Sequence, residues 1–180
     1  MKFCSNCGSQ VTQRIPEGDS RPRYICDSCN IVHYQNPNII AGCLPVWGDK
    51  VLLCRRAIEP RYGFWTLPAG FMENGETIAE GAARETWEEA EAKVRELTLY
   101  TVFNIPYINQ VYMLHRAHLV DGKFGIGVES LECQLFDEAD IPWDELAFPS
   151  VKRTLRYYFE DRQRGEFPLH IDDLRPPVKS

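Results

Sequence analysis

Gly70-Phe71-Met72-Glu73-Asn74-Gly75-Glu76-Thr77-Ile78-Ala79-Glu80-Gly81-Ala82-Ala83-Arg84-Glu85-Thr86-Trp87-Glu88-Glu89 is the stretch on which the reading of this chain turns. From Ile78 to about Ala90 it predicts a helix. Thr77 and Glu80 form a Thr-x-x-Glu capping box, which satisfies free N–H groups of the first turn. Glu85, Glu88 and Glu89 stand at i, i+3 and i+4, so three carboxylates share one helix face. Like charges so spaced repel by some tenths of a kcal/mol per pair. Ala79, Ala83, Trp87 and Ala90 form the opposite face, the one expected to be buried. Gly81 costs the helix up to about 1 kcal/mol relative to alanine and is expected to leave open space above the acids. The bland reading is a solvated acidic face. The chemical one is a site for Mg²⁺ or Mn²⁺, hard cations that take oxygen ligands and keep waters and substrate phosphates.

The charge balance points to the same segment. From Glu73 to Glu96 there are eight glutamates against Arg84, Lys93 and Arg95, which accounts for five units of the whole chain's net charge of −6. The remainder is close to neutral. That excludes a uniformly basic nucleic-acid or membrane-binding protein and leaves room for an anionic substrate. At 180 residues and 44% hydrophobic content, the chain fits one domain with a small appendage. The longest apolar-leaning run, Ile39 to Trp47, is broken by Gly42 and Pro45 and falls far short of the roughly 20 residues a membrane helix needs. No apolar signal region follows Met1, so a reducing, cytoplasmic setting is expected, and the cysteines are read as ligands or buried thiols before disulfides.

Two CxxC pairs, Cys4/Cys7 and Cys26/Cys29, are separated by 18 residues, the spacing of a four-thiolate Zn²⁺ site. Gly8 and Asn30 follow the pairs, where positive φ is useful. So short a segment buries too little to fold alone, and a closed metal site would hold it together. The role expected is structural. A thioredoxin-like redox role lacks the βαβ context. Arg14, Arg21, Arg23 and Tyr24 raise nucleic-acid binding as an alternative, with a cap or dimerisation element preferred. Cys43, Cys54 and Cys133 read as core residues. Asn36-Pro37 marks a linker, which divides the chain into 1–35 and 36–180.

Beyond the linker the pattern alternates. Asn38–Trp47 and Lys50–Arg56 read as a hairpin turning at Gly48-Asp49. Phe64–Leu67, Leu97–Phe103, Gln110–Val120 and Leu131–Phe136 read as further strands. Ser150–Arg164 reads as an amphipathic helix with Val151, Leu155, Tyr158 and Phe159 on one face. The tail around Pro176-Pro177 reads as extended. The fold class expected is α/β, a mixed-sheet sandwich behind a zinc module.

The opening stretch resembles the Nudix box, whose pattern is Gly, five residues, Glu, seven residues, then Arg-Glu-aliphatic-x-Glu-Glu-x-Gly-aliphatic. Gly70, Glu76, Arg84, Glu85, Glu88 and Glu89 occupy its fixed positions. The resemblance extends from about Ile39 to Phe159. Thr86, Glu91 and Ala92 depart from it, and loss of the closing Gly puts the helix end in question. The resemblance implies hydrolysis of a nucleoside diphosphate linked to another group. By position, Glu85, Glu88, Glu89 and the Ala69 carbonyl would hold Mg²⁺ or Mn²⁺, Arg84 would orient the carboxylates, and Glu76 would steady the loop. Family members that carry a downstream catalytic base suggest Glu129 first and Glu132 second. Arg55 and Arg56 are candidate phosphate contacts, and Phe103, Tyr107 and Tyr112 candidate stacking residues for the base.

A zinc ribbon before such a domain is similar to the NADH pyrophosphatases of the family. The Ser-Gln-Pro-Trp-Pro-Phe-Pro run they carry is here Val102-Phe103-Asn104-Ile105-Pro106-Tyr107 and onward. On that departure, and on Pro106, ADP-ribose is expected as the main substrate, with FAD or NADH as the alternative. A homodimer acting on small-molecule nucleotides is implied. Two rivals from other classes are a non-catalytic nucleotide-binding module and a zinc deaminase. The deaminase would need H-x-E and P-C-x-x-C motifs that do not occur.

Overall fold

The computed structural model describes residues 1–176. The backbone separates into two compact units, the first ending at Pro37 and the second beginning at Asn38. The first is a small antiparallel sheet of β1 (Thr12–Arg14), β2 (Arg23–Ile25) and β3 (Val32–His33) in that order. Its apolar interior is slight, with Cys4, Val11 and Cys26 buried and Tyr24 and Cys29 packed beside them.

The second unit contains β4 (Asn38–Trp47), β5 (Lys50–Arg56), β6 (Trp65–Thr66), β7 (Ala69–Phe71), α1 (Ile78–Ala90), β8 (Val94–Ile105), β9 (Gln110–Leu119), β10 (Ser130–Phe136), α2 (Pro149–Arg164) and β11 (His170–Asp173). The strands form one mixed sheet in the order β10-β5-β4-β9-β8-β11, with β6 on β5 and β7 on β4. β4 runs parallel to β9 and β11 parallel to β8, and the other pairs are antiparallel. Two-residue alternation splits the core between the sheet's faces. Leu44, Val46, Val51 and Leu53 pack with Val151, Leu155, Tyr158 and Phe159 of α2. On the other face, Ala41 and Cys43 meet Ala82 of α1, and Leu52 and Cys54 meet Ala90. The result is the α/β class expected, a mixed-sheet sandwich with one helix on each face.

α1 begins and ends where the sequence predicts, and both capping-box hydrogen bonds are present: Glu80 N to Thr77 Oγ1 at 3.2 Å, and Thr77 N to Glu80 Oε2 at 2.7 Å. Its buried side differs from expectation. Gly81, Ala82, Thr86, Glu89 and Ala90 are buried, and Trp87 is half exposed, with Lys93 over its ring. Thr86 can be fully buried because its hydroxyl donates to the Ala82 carbonyl at 2.7 Å, one turn back. Gly81 leaves no open space. A Cβ there would lie 2.7 Å from Glu76 Oε1, so the Glu76 carboxylate fills the gap. β8 is longer at both ends than expected, and β7 and β11 are elements the sequence reading lacks. Of the predicted extended tail, Pro177 and beyond lie outside the described residues.

Candidate active site

The acidic face of α1 is organised by one guanidinium. Arg84 donates to both oxygens of Glu76, at 3.0 and 2.8 Å, to Glu85 Oε1 at 2.7 Å, to Glu88 Oε2 at 3.0 Å and to the Phe71 carbonyl at 3.1 Å. Glu76 also accepts from the Glu73 N–H at 2.7 Å. The Arg84 contact, reinforced by that backbone N–H, holds the Glu76 carboxyl down to about 2. Gly70 lies directly under Glu85, and a Cβ there would sit 2.3 Å from Glu85 Oε2. Gly42 is equally constrained, since a Cβ would strike Ala69 Cβ at 2.3 Å and the Pro68 carbonyl at 2.5 Å. The two glycines let β7 bring the Ala69 backbone against the acidic face.

Glu89 is the deepest carboxylate of this face, at 6% exposure. Burial, with the charge of Glu85 beside it, pushes its pKa up to about 8. Burial also raises that of Glu85. Among the described residues Glu89 has no ion-pair partner, and Glu85 has only the Arg84 that it shares with Glu76 and Glu88, so the acids outnumber the cation, and a divalent ion would offset the surplus. The donors suit such an ion because all are hard oxygens. Magnesium keeps waters and phosphate oxygens in its shell beside such ligands.

Glu85, Glu88, Glu89, Ala69 and Gly70 line a cleft of about 870 Å³, together with Arg56, Tyr107, Tyr112 and Glu129. Of the two candidate bases, Glu129 is on this wall, and its charge raises the pKa of both Glu85 and Glu89. Glu132 is not on it. That residue faces Arg55 across the β5–β10 ladder, with 3.7 Å between their charged ends, a cross-strand pair that occupies both side chains. Arg55 also donates to the Gly63 carbonyl at 2.9 Å and is absent from the cleft. Phe103 is fully buried against Ile105 and Leu174, so no base can stack on it. Arg56 remains as the cleft's phosphate candidate, with its Nε on the Pro60 carbonyl at 2.8 Å and its plane over Phe148.

Sequence reading missed Ile40, Ile58, Phe71, Phe148 and Leu174 on the cleft wall. They come from separate strands and loops and from the segment just past the terminal strand, and no local spacing links them. The loop 121–129, read from sequence only as the carrier of a candidate base, also closes the C-terminal end of α1. The Gly125 N–H donates to the Ala90 carbonyl at 2.6 Å and the Gly127 N–H to the Glu89 carbonyl at 3.1 Å, so the last carbonyls of the helix are satisfied by main chain. A Cβ at Gly127 would lie 1.8 Å from the Glu88 carbonyl oxygen. No side chain fits there.

In the first unit the Sγ atoms of Cys4, Cys7, Cys26 and Cys29 all lie within 4.8 Å of one another. Each pair forms the same knuckle, with Gly8 N on the Cys4 carbonyl at 3.0 Å and Asn30 N on the Cys26 carbonyl at 2.8 Å. Gly8 and Asn30 both have positive φ, at 74° and 56°. Four sulfurs gathered this closely fit a tetrahedral Zn²⁺. His33 Nε2 is 3.2 Å from Cys4 Sγ. Arg14 pairs with Asp27 and Arg23 with Asp19, at 2.6 and 2.9 Å, so two of the arginines that suggested nucleic-acid binding are already neutralised.

A carboxylate-bearing helix clamped under a mixed sheet, following a four-cysteine module, defines a class. Residues 37–160 match the NUDIX domain and residues 2–35 match the zinc-ribbon model described as Nudix N-terminal, and the chain belongs to the Nudix family. A crystal structure of a NUDIX hydrolase from Nitrosomonas europaea aligns at TM-score 0.91 and 56% identity, over 97% of this chain and 100% of that one. The chain is also similar to an NAD-capped RNA hydrolase of Pseudomonas fluorescens, 29% identical over 88% of this chain and 55% of that protein. It is 31% identical to the human mitochondrial NAD(P)H pyrophosphatase, over 94% of this chain and 46% of that one. The chain therefore spans about half the length of these curated relatives.

Proposed function

We propose that this chain is a divalent-metal-dependent pyrophosphatase that splits the diphosphate of a nicotinamide dinucleotide, releasing AMP and the mononucleotide. The observation that carries the hydrolase reading is the buried, uncompensated Glu89 carboxylate in one cleft with Glu85, Glu88, Glu129 and Arg56. The sequence favoured ADP-ribose. The relatives named as acting on NAD caps and NAD(P)H favour the dinucleotide instead. ADP-ribose stays in the test because the proline-rich run of the NADH pyrophosphatases is replaced here.

In this reading Glu85, Glu88 and Glu89, with the Ala69 carbonyl, hold Mg²⁺ or Mn²⁺. Bound there, the ion supplies charge neutralisation for the diphosphate and lowers the pKa of an attacking water. Arg84 holds Glu85 and Glu88 in place, and Glu129 takes the proton from the water as the P–O bond is attacked in line. Arg56 faces the phosphates. Tyr107 and Tyr112 offer ring faces to a base. Zn²⁺ in the first unit is structural. Reduced thiols there suit a cytoplasmic setting, and a homodimer belongs to the same reading.

The test incubates the protein with NADH, NAD⁺, ADP-ribose and FAD in Mg²⁺ or Mn²⁺ and identifies products by mass. AMP from the dinucleotides, lost on the order of 10²-fold or more in Glu89→Gln, is the expected result. Turnover of ADP-ribose alone would restore the substrate first inferred from sequence. Nucleotide binding without AMP from any of the four would leave a non-catalytic module.

A further inference from the structure

Cys54 and Cys133 face each other across the β5–β10 ladder. Their sulfurs are 3.5 Å apart. Directly opposed residues on antiparallel strands have Cα atoms about 4.5–5.5 Å apart, inside the window of about 4.4–6.8 Å that a disulfide requires. Bond formation needs only a contraction of roughly 1.5 Å between the sulfurs, to about 2.05 Å. Cys54 is buried and Cys133 is partly exposed, so an oxidant meets Cys133 first and Cys54 is positioned to resolve it. The pair also touches the carboxylate site. The Cys133 thiol donates to the Glu89 carbonyl at 3.4 Å, beside the Gly127 N–H that caps the same oxygen.

We propose that Cys54 and Cys133 form a redox modification site, which a hydroperoxide converts to a disulfide that loosens the metal-ligand end of α1. The hydroperoxide oxidises the Cys133 thiol to a sulfenic acid and leaves as the alcohol, or as water for hydrogen peroxide. The Cys54 thiol then attacks that sulfur, forming the S–S bond and expelling water. Two thiols lose two electrons in total and the peroxide gains them. The disulfide has no S–H to donate, and Cys133 Sγ moves toward Cys54. The Glu89 carbonyl loses one of its two donors, and the deepest carboxylate of the site sits on that residue. A dithiol reductant reverses the change.

The experiment treats the zinc-loaded protein with hydrogen peroxide and measures three things: non-reducing peptide mass, Mn²⁺ affinity by titration, and dinucleotide turnover. The turnover arm rests on the hydrolase reading above; the mass and Mn²⁺ arms do not, so failure of that reading stays separate. Expected are a Cys54–Cys133 cross-linked peptide lighter by two hydrogens, Mn²⁺ affinity lowered at least threefold, and recovery with dithiothreitol. Cys133→Ser keeps a donor for the Glu89 carbonyl and should hold its Mn²⁺ affinity through the same treatment. Zinc release is followed in both proteins, so damage to the first unit cancels in the comparison. Absence of the cross-linked peptide overturns the modification site. A cross-link with unchanged Mn²⁺ affinity overturns its link to α1.

Discussion

Glu91 closes α1 at φ 47° and ψ 29°, the left-handed conformation in which the family pattern has glycine. The sequence put the helix end in question at this residue, yet the helix stops at Ala90 all the same. The Glu91 N–H donates to the Trp87 carbonyl at 2.7 Å, and the loop glycines satisfy the carbonyls beyond it. The chain therefore keeps the geometry and bears the steric cost of a Cβ at positive φ. Glu91→Gly should stabilise the protein by about 0.5–1 kcal/mol, the relief offset partly by added unfolded-state entropy. A higher urea midpoint with an unchanged slope would show it. Glu76 has a pH signature of known sign. Its pKa falls from 4.5 to about 2 on folding, so its contribution is complete above about pH 4.5 and is lost as pH falls toward 2. Glu76→Gln should flatten the acid limb of the stability profile within that window, as read by thermal melts across pH. The placing of Arg84 and Glu76 beside the carboxylates was legible in the sequence through the resemblance to the Nudix box. The side chain that fills the space beside Gly81 was not, since only the folded loop places it.

At the scale of elements, β11 is the strand that sequence alone does not reveal. It has four residues, it follows Pro168, and its alternation carries one apolar side chain, Ile171, which is exposed. Pairing with β8, some 70 residues earlier in the chain, makes it a strand. Side chains from α2 hold it there. Asp161, almost fully buried, accepts from the Tyr100 hydroxyl at 2.7 Å and from Arg164 at 2.9 Å, and His170 Nε2 lies 2.7 Å from the same carboxylate. Arg153 and the Tyr157 hydroxyl hold Asp172. Leu174, just past the strand, is part of the cleft wall. Asp161→Ala strands the Tyr100 hydroxyl without its acceptor and should cost about 1–3 kcal/mol. As β11 and Leu174 loosen, the KM for the nucleotide should rise more than kcat falls, as steady-state kinetics beside a melting curve would show. The long elements were easier to read. β4, β5 and α1 were predicted at their observed bounds or close to them because apolar runs, a Gly-Asp turn and a capping box mark them locally. The buried stripe of α1 was misread because a tryptophan was given the interior and a threonine was not.

For the whole molecule, the two units rest on different physics. The second has layered apolar clusters on both faces of its sheet. The first has three short strands around a handful of buried side chains, too few to offset the entropy of ordering 37 residues without a metal. Chelation of zinc at neutral pH should therefore abolish amide protection in β1–β3 and leave that of β4, β5 and β9 in place, as hydrogen exchange would report. No helix among the described residues is long and apolar enough to cross a membrane. The acidity noted at the outset now has an address, since Glu85, Glu88 and Glu89 line one cleft, where Arg84 pairs with the first two alone. The loop that clamps their helix has one more consequence. Gly125 and Gly127 press main chain against α1, while Phe124, Ile126 and Val128 point away, Val128 at 94% exposure. A family of functional variants across this stretch would tolerate change at every second position and reject it at the others. That rhythm would look like a strand, although none is there, and homologues could diversify the outer face without disturbing the helix beneath.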